Sequence, residues 1–302
     1  MPLVYLIIVP LLLLAASSIG QPRPPSESPF AEHLQQLKSR VPAGFTVVLQ
    51  KPFVVVGDDS PNVVRSRATN TVQWAVRHLK KDFFAIDPSE IIDIWLFKDK
   101  ESYTRYTKEL FGDTPTTPFG YYSPRHQALI MNIGTGGGTL VHEIVHPYMR
   151  ANFPECPAWF NEGMGSLFEH SEDRNGHIRG LTNWRLPGLQ QAIREKRILS
   201  FDKLLSTTTD EFYGGGTGYS QHYAQARYLC YYLQEKGLLT AFYRDFNSSG
   251  QQDKTGVKSL RKVLRTDDLV HFRGSGKPSS WRCANRLESE GLHPCLIACQ
   301  FA

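Results

Sequence analysis

The hydrophobic positions in the first half of the chain alternate between the spacing of strands and the spacing of helices. Over residues 62–84, apolar residues recur every three or four positions, which predicts one long amphipathic helix. The residues on its apolar face are Val64, Ala68, Val72, Ala75 and Leu79. Shorter helical patterns occur at residues 30–41 and 102–112. Runs rich in β-branched and aromatic residues predict strands at 45–50, 52–59 and 91–97.

Helical patterns dominate the second half of the chain. Residues 119–133 are predicted to form one or two strands with a turn near Ser123 and Pro124. A glycine-rich loop then leads into a helix within residues 134–153. The helical patterns that follow lie at 158–170, 186–196, 220–237, 238–246 and 256–264. This order predicts an α+β fold, in which a small sheet is followed by a mainly helical half.

The two ends of the chain differ in composition from this central part. Residues 3–16 are apolar throughout and are followed by small residues. This pattern predicts a signal peptide over residues 1–20, with an uncleaved membrane anchor as the alternative. A proline- and serine-rich stretch predicts a disordered linker over residues 21–29. The predicted folded domain covers residues 30–270, and the last segment, 271–302, is rich in cysteine and lacks apolar periodicity.

Location and partners follow from these features and from the charge. Removal of the signal would leave a secreted, periplasmic or cell-envelope protein without a membrane span. Export also permits disulfides, and the odd count of five cysteines leaves at least one thiol without an intramolecular partner. The formal net charge of +5 is modest and is not concentrated in a basic run, which argues against nucleic acid as a partner.

Residues 139–149, TLVHEIVHPYM, contain two histidines four positions apart with a glutamate beside the first. On a helix, residues four apart lie on the same face, so His142 and His146 can direct two imidazole nitrogens at one metal ion. Glu143 would lie beside that ion, where its carboxylate can accept a proton from a metal-bound water. HExxH is therefore typical of metal-dependent hydrolases, although a polar helix face with satisfied histidines gives the same letters.

A catalytic zinc ion takes three protein ligands and keeps one position open for water. A third histidine of the HExxHxxGxxH type is excluded, because Met149 and Asn152 occupy its last two defined positions. Glu162 lies sixteen residues after the second histidine on the next predicted helix, and a short loop would turn that helix back against the first. Glu155 in the connecting loop and Glu169 further along the helix are the alternatives.

HExxH followed by PAWFNEG at 157–163 resembles the gluzincin peptidases, which include thermolysin and a family of zinc aminopeptidases. It resembles more closely the bacterial peptidase MA-like exported proteins, over residues 119–235. In these families the glutamate of the NEG motif is the third zinc ligand, so the resemblance assigns this role to Glu162. It implies a zincin-like domain, zinc as the cofactor and hydrolysis of peptide bonds. An amine-anchoring GxMxN motif is absent, which favours an endopeptidase.

The resemblance also implies a tyrosine that donates its hydroxyl to the oxyanion of the tetrahedral intermediate. Tyr223 begins a helix with Leu233 at the matching offset of ten residues. Tyr219 and His222 are the alternatives, and a purely packing role for Tyr223 fits the sequence equally well.

One position departs from the pattern of the family. Thermolysin-like enzymes often carry an aspartate one turn after the third ligand, where it orients a ligating histidine. This chain has Ser166 at that position, so another group must orient the imidazoles. Asn161 or a backbone carbonyl is the expected substitute.

The resemblance extends to the substrate cleft. In gluzincins an edge strand just before the metal helix pairs with the backbone of the substrate. Gly120, Tyr121 and Tyr122, or alternatively the stretch 128–132, are therefore expected to line the cleft. An ordinary sheet strand is the simpler interpretation of the same residues.

Two functional hypotheses follow. The first is an exported zinc metallopeptidase that acts on peptides or proteins, with Glu143 as general base. The second is a catalytically inactive protein on the same fold that serves as a binding partner or scaffold in the cell envelope. The joint presence of ligands, base and a candidate tyrosine favours the enzyme.

Overall fold

The fold is α+β, as the hydrophobic pattern predicts, with a small mixed sheet and helices packed around it. The computed structural model describes residues 27–115, 117–214, 217–267 and 269. The first elements are α1 (Glu27–Arg40), β1 (Thr46–Gln50), β2 (Phe53–Gly57), α2 (Pro61–Arg67), a π-helical segment (Ala68–Gln73), α3 (Trp74–Asp82), β3 (Ile92–Phe97), α4 (Lys100–Tyr106), a second π-helical segment (Thr107–Phe111), β4 (Gly120–Ser123) and β5 (Ala128–Asn132). The later elements are a 3-10 turn (Ile133–Thr135), α5 (Gly138–Asn152), α6 (Ala158–Phe168), β6 (Ser171–Arg174), β7 (His177–Gly180), α7 (Arg185–Arg194), α8 (Phe201–Leu205), α9 (Thr209–Tyr213), α10 (Thr217–Glu235), α11 (Leu239–Ser249), a second 3-10 turn (Gly250–Gln252) and α12 (Val257–Leu264).

The predicted end segments lie largely outside the described residues. This holds for the signal peptide at 1–20, for linker residues 21–26 and for the tail at 271–302. Helix α1 begins at Glu27, so residues 27–29 of the predicted linker belong to this helix. None of the described helices combines the length and the apolar composition that crossing a bilayer requires.

The five strands of the sheet lie in the order β1-β2-β3-β5-β4. Strands β2, β3 and β5 run parallel, whereas β1 and β4 are antiparallel to their neighbours and form the two edges. The three inner strands are buried because helices cover both faces. Val55 and Ile94 join the core formed with α2, α3 and α5, while Val56 and Trp95 join the core formed with α1 and α4.

One helical stretch runs from Pro61 to Asp82 through α2, the first π-helical segment and α3. All residues of the predicted apolar face are buried in the core against the sheet, with at most 1% exposure: Val64, Ala68, Val72, Ala75 and Leu79. The predicted amphipathic helix is therefore confirmed, and the π-helical segment is a detail that apolar spacing does not reveal.

After α6 the chain forms a two-stranded hairpin, in a segment for which no element was predicted from the sequence. Strands β6 and β7 pair from Ser171 with Gly180 to Arg174 with His177. The connection has positive φ angles of 56° at Asn175 and 76° at Gly176. Asn-Gly favours a two-residue turn with this geometry, so a local signal for the hairpin exists in the sequence.

Helix α6 approaches α10 closely, and a glycine makes this possible. A Cβ atom placed on Gly163 would lie 2.9 Å from the Sγ atom of Cys230 and 3.0 Å from the backbone oxygen of Ala226. The first distance is too short for a real side-chain carbon, so any larger residue would push the two helices apart. Gly163 directly follows Glu162, and the close approach therefore also fixes the position of that carboxylate.

We expect Gly163→Ala to lower the free energy of unfolding by about 1–3 kcal/mol, because the added methyl group overpacks the contact with α10. Gly188→Ala is the matched control, since Gly188 also lies inside a helix but a Cβ there meets nothing within 4 Å. The control should stabilise the protein by about 0.5–1 kcal/mol. Urea unfolding curves measure both values, and equal effects of the two substitutions would contradict the packing argument.

Candidate metal centre

Two histidines lie one turn apart on the buried part of α5. The ring centroids of His142 and His146 are 4.9 Å apart. The opposite face of the helix is anchored in the core by Leu140 and Ile144, which are fully buried. The apolar anchor thus turns the two imidazoles away from the sheet and toward α6.

Helix α6 brings a carboxylate to the two imidazoles. Oε2 of Glu162 lies 3.1 Å from Nε2 of His142, and Oε1 lies 3.8 Å from Nε2 of His146. One donor atom from each of the three residues lies within 4.8 Å of the others, and the group is buried or half-buried. The predicted convergence is confirmed, and these three side chains form a group that could hold a metal ion.

The two alternative glutamates are bound to other residues. Both carboxylate oxygens of Glu155 accept hydrogen bonds from Gln251, at 2.7 and 2.6 Å. Glu169 accepts a hydrogen bond from Arg185 at 2.6 Å. Neither belongs to the group formed by the histidines and Glu162.

A second glycine of α6 seats the first histidine. A Cβ atom on Gly165 would lie 3.2 Å from three atoms of the His142 imidazole, which is tighter than ordinary packing. The glycine leaves room for the ring to lie against the backbone of α6. The two glycines of the EGMG stretch therefore have separate roles. Gly163 permits the close contact with α10, and Gly165 leaves room for the imidazole of His142.

Asn161 orients the second histidine, and it is one of the two substitutes for the family aspartate that were expected from the sequence. Its Oδ1 atom lies 3.0 Å from Nδ1 of His146. An amide oxygen only accepts hydrogen bonds, so this contact places a proton on Nδ1 and leaves Nε2 as the nitrogen that can bind a metal. Ser166, at the position of the family aspartate, has a buried Oγ atom without a hydrogen-bond partner among the described residues.

The charges within the group stabilise one another. Burial opposes ionisation of Glu162, but His146, His142 and the hydroxyl of Tyr213 outweigh this effect and lower its pKa to about 2. Burial disfavours the charged form of His142, but the carboxylate of Glu162 and the charge of Glu143 raise its pKa above the ordinary value. The carboxylate is therefore held ionised, as a metal ligand must be.

Tyr213 is a component of the centre that the sequence analysis missed. Its hydroxyl donates a hydrogen bond of 2.6 Å to Oε1 of Glu162. Tyr213 is the last residue of the short helix α9, whose start is fixed by a capping box between Thr208 and Glu211. The capping box is visible in the sequence, but the contact with Glu162 is made across 51 residues and has no local signature.

A cavity of about 510 Å³ opens beside the three-residue group. Glu143 and Tyr223, the predicted base and hydroxyl donor, both line it. The full set of lining residues is Thr117, Pro118, Phe119, Gly120, Thr139, His142, Glu143, Glu169, Trp184, Arg185 and Tyr223. The predicted catalytic residues thus share one space with a candidate metal ligand.

The alternatives to Tyr223 are placed differently. The ring of Tyr223 packs against Phe212 at 5.3 Å between centroids. His222 directs Nδ1 at the backbone oxygen of Phe212, at 3.2 Å, and is not among the cavity-lining residues. The side chain of Tyr219 lies outside the described part of the chain.

The predicted substrate-binding residues separate into two groups. Gly120 lines the cavity at the start of β4, an edge strand of the sheet. Tyr121 donates its hydroxyl to Asp113 at 2.8 Å, and the guanidinium of Arg150 lies 5.0 Å from the ring of Tyr122. Neither tyrosine is among the residues that line the cavity.

The alternative prediction, that residues 128–132 form the edge strand that binds the substrate, was wrong. It forms β5, which lies between β3 and β4 and pairs with both. Its main-chain groups are therefore already used within the sheet, whereas the outer edge of β4 can add a further strand.

No protein-family model matches this chain, and a search of the curated proteins found no match.

We expect His142→Ala and Glu162→Ala each to abolish retention of one metal ion per chain, because two ligands cannot close the site. Glu155→Ala is the matched control, since it removes a carboxylate that accepts hydrogen bonds from Gln251 and does not belong to the three-residue group. Elemental analysis after loading with Zn²⁺ and exhaustive dialysis measures retention. Full retention by Glu162→Ala would contradict the ligand assignment.

Removal of the supporting contacts should weaken metal binding without abolishing it. Asn161→Ala and Tyr213→Phe are each expected to lower the affinity for Zn²⁺ about 10–100-fold, because the ligands lose the partners that orient them. Tyr121→Phe is the control, since its hydroxyl serves only Asp113. Competition with a chelating dye gives the affinities, and an affinity unchanged in Tyr213→Phe would show that its hydrogen bond does not support Glu162.

Proposed function

We propose that this protein is a zinc-dependent peptidase that cleaves internal peptide bonds. The observation that carries the proposal is the convergence of His142, His146 and Glu162 at the edge of a cavity that also contains Glu143 and Tyr223. Ligands, base and hydroxyl donor are the parts that metal-assisted hydrolysis of an amide requires.

The donor set supports zinc as the metal. Two imidazole nitrogens and one carboxylate oxygen suit zinc, and three protein ligands leave a position open for water. When bound, zinc would polarise the scissile carbonyl and lower the pKa of a water molecule. The orientation of His146 by Asn161 and of Glu162 by Tyr213 supports the fit, because ligands of catalytic metals are held by such partners.

Glu143 is the proposed general base. Its carboxylate takes a proton from the attacking water as the water oxygen bonds to the carbonyl carbon. It then passes this proton to the amide nitrogen, the carbon–nitrogen bond breaks, and an amine and a carboxylic acid result. The hydroxyl of Tyr223 is proposed to donate a hydrogen bond to the oxyanion that develops on the carbonyl oxygen.

The substrate is proposed to be a peptide or an extended segment of a protein. Its backbone would pair with the outer edge of β4 beyond Gly120, whose own main-chain groups are hydrogen-bonded with Oγ1 of Thr117, and this pairing gives main-chain hydrogen bonds without strong sequence selectivity. Export by the predicted signal peptide would place this activity outside the cell or in the cell envelope.

Glu143→Gln tests the proposal. We expect the variant to retain zinc and to lose peptide hydrolysis by about 100-fold or more, because the amide cannot accept the proton. Tyr223→Phe should lower kcat by about 10-fold or more while leaving the zinc content unchanged. Hydrolysis of a mixed peptide library, followed by mass spectrometry, measures both effects.

The library experiment also separates the enzyme from the scaffold hypothesis. A zinc-loaded wild-type protein that is as inert as Glu143→Gln would favour a binding or scaffold protein. Equal and substantial activity of the two proteins would instead remove Glu143 from the mechanism.

A further inference from the structure

Among the residues that the structure describes, three aromatic side chains are exposed, and all three lie at the candidate metal centre. The exposed fractions are 68% for Trp184, 47% for Phe119 and 38% for Tyr213. Trp184 and Phe119 line the cavity beside His142, whereas Tyr213 reaches Glu162 with its hydroxyl. Exposed aromatic rings at the wall of one cavity are typical of a binding surface.

Phe119 is exposed on a backbone that is held in place. Its carbonyl oxygen accepts a hydrogen bond of 2.8 Å from the backbone nitrogen of Asn132, and its own nitrogen donates to Oγ1 of Thr117 at 3.2 Å. The side-chain amide of Asn132 also donates to the carbonyl oxygen of Pro118 at 2.9 Å. The backbone that carries the ring is therefore held in place, which lowers the entropy lost on binding.

Trp184 is supported by a charged pair. The guanidinium of Arg185 lies 4.1 Å from the centre of the indole ring and 6.0 Å from that of Tyr223. Arg185 donates a hydrogen bond of 2.6 Å to Glu169, and its backbone nitrogen donates to Oδ1 of Asn183 at 3.1 Å. The indole is thus held against a cation that is itself fixed, although most of its surface stays exposed.

We propose that Phe119 and Trp184 form an apolar subsite that binds a bulky apolar side chain, above all an aromatic one, of the peptide substrate. This inference rests on the proposed peptidase function. Phe119 directly precedes the edge strand β4, so a peptide paired with that strand would carry its side chains past the ring. Contact of an apolar side chain with these rings would remove apolar surface that is now exposed to water.

The charges of the cavity wall disfavour an acidic side chain. Glu169 and Arg185 are paired with each other, so the wall next to Trp184 carries no net charge. The carboxylate of Glu143, which also lines the cavity, would repel an acidic side chain. An apolar side chain meets no such repulsion.

Peptide binding to the zinc-loaded Glu143→Gln protein tests this inference without hydrolysis. The probes are acetylated and amidated alanine hexapeptides, each with phenylalanine at one of the six positions, and an all-alanine peptide as reference. We expect at least one phenylalanine peptide to bind about tenfold more tightly than the reference. Trp184→Ala and Phe119→Ala should each remove most of this preference, whereas Trp184→Phe should retain it. Chemical shifts in NMR titrations give the affinities.

Leu49→Ala is the matched control, because Leu49 is also an exposed apolar residue, 41% accessible, but lies on β1 at the opposite edge of the sheet. It should leave the preference for phenylalanine unchanged.

Equal binding of all peptides, no measurable binding of any peptide, or a preference that survives both alanine substitutions would overturn the inference. A phenylalanine preference in a wild-type protein that hydrolyses no peptide would overturn the peptidase proposal alone. Hydrolysis without that preference would overturn the subsite alone.

Discussion

The close approach of α6 to its two neighbours is the constraint on which the candidate centre depends. A carboxylate reaches the imidazoles of α5 only if the backbone of α6 lies within contact distance of that helix. Gly165 permits this on one side by leaving space for the ring of His142, and Gly163 permits the approach to α10 on the other. A larger residue at position 163 would press against α10, and one at position 165 would press against the imidazole of His142, so either would disturb the placement of α6. The sheet completes the arrangement, because the core beneath α5 fixes the direction in which its polar face points.

Electrostatics explain why this buried group is stable and why it suits a cation. A buried carboxylate without partners would cost several kcal/mol, since it loses its hydration. Glu162 instead faces two imidazoles and accepts a hydrogen bond from Tyr213. With neutral imidazoles the group still carries a negative charge, which a bound cation would compensate. The same surroundings that stabilise the folded chain therefore prepare a metal site, and the proposed peptidase chemistry uses the cavity next to it.

The sequence by itself determined those features that depend on local periodicity. The spacing of His142 and His146 places both on one face of a helix, whatever the rest of the fold. A short loop followed by a second helical pattern predicted that a glutamate would return to them, and the resemblance to the gluzincins selected Glu162 over Glu155 and Glu169. The apolar face of the helix at 62–84 and the strand-like run at 91–97 followed from spacing in the same way. The Asn175–Gly176 turn carried an equally local signal, so the hairpin was within reach of the sequence although it was overlooked.

The tertiary structure alone decided which distant segments meet. Nothing near Tyr213 in the chain indicates that its hydroxyl binds Glu162, because that contact depends on how four intervening elements pack. Likewise, the order of the strands decides that β4 lies at the edge of the sheet and β5 in its interior. The exposure of Phe119 and Trp184 depends on the segments that surround them. Local sequence sets the conformation and the apolar face of each segment, whereas contacts between segments arise from the mutual fit of many faces at once.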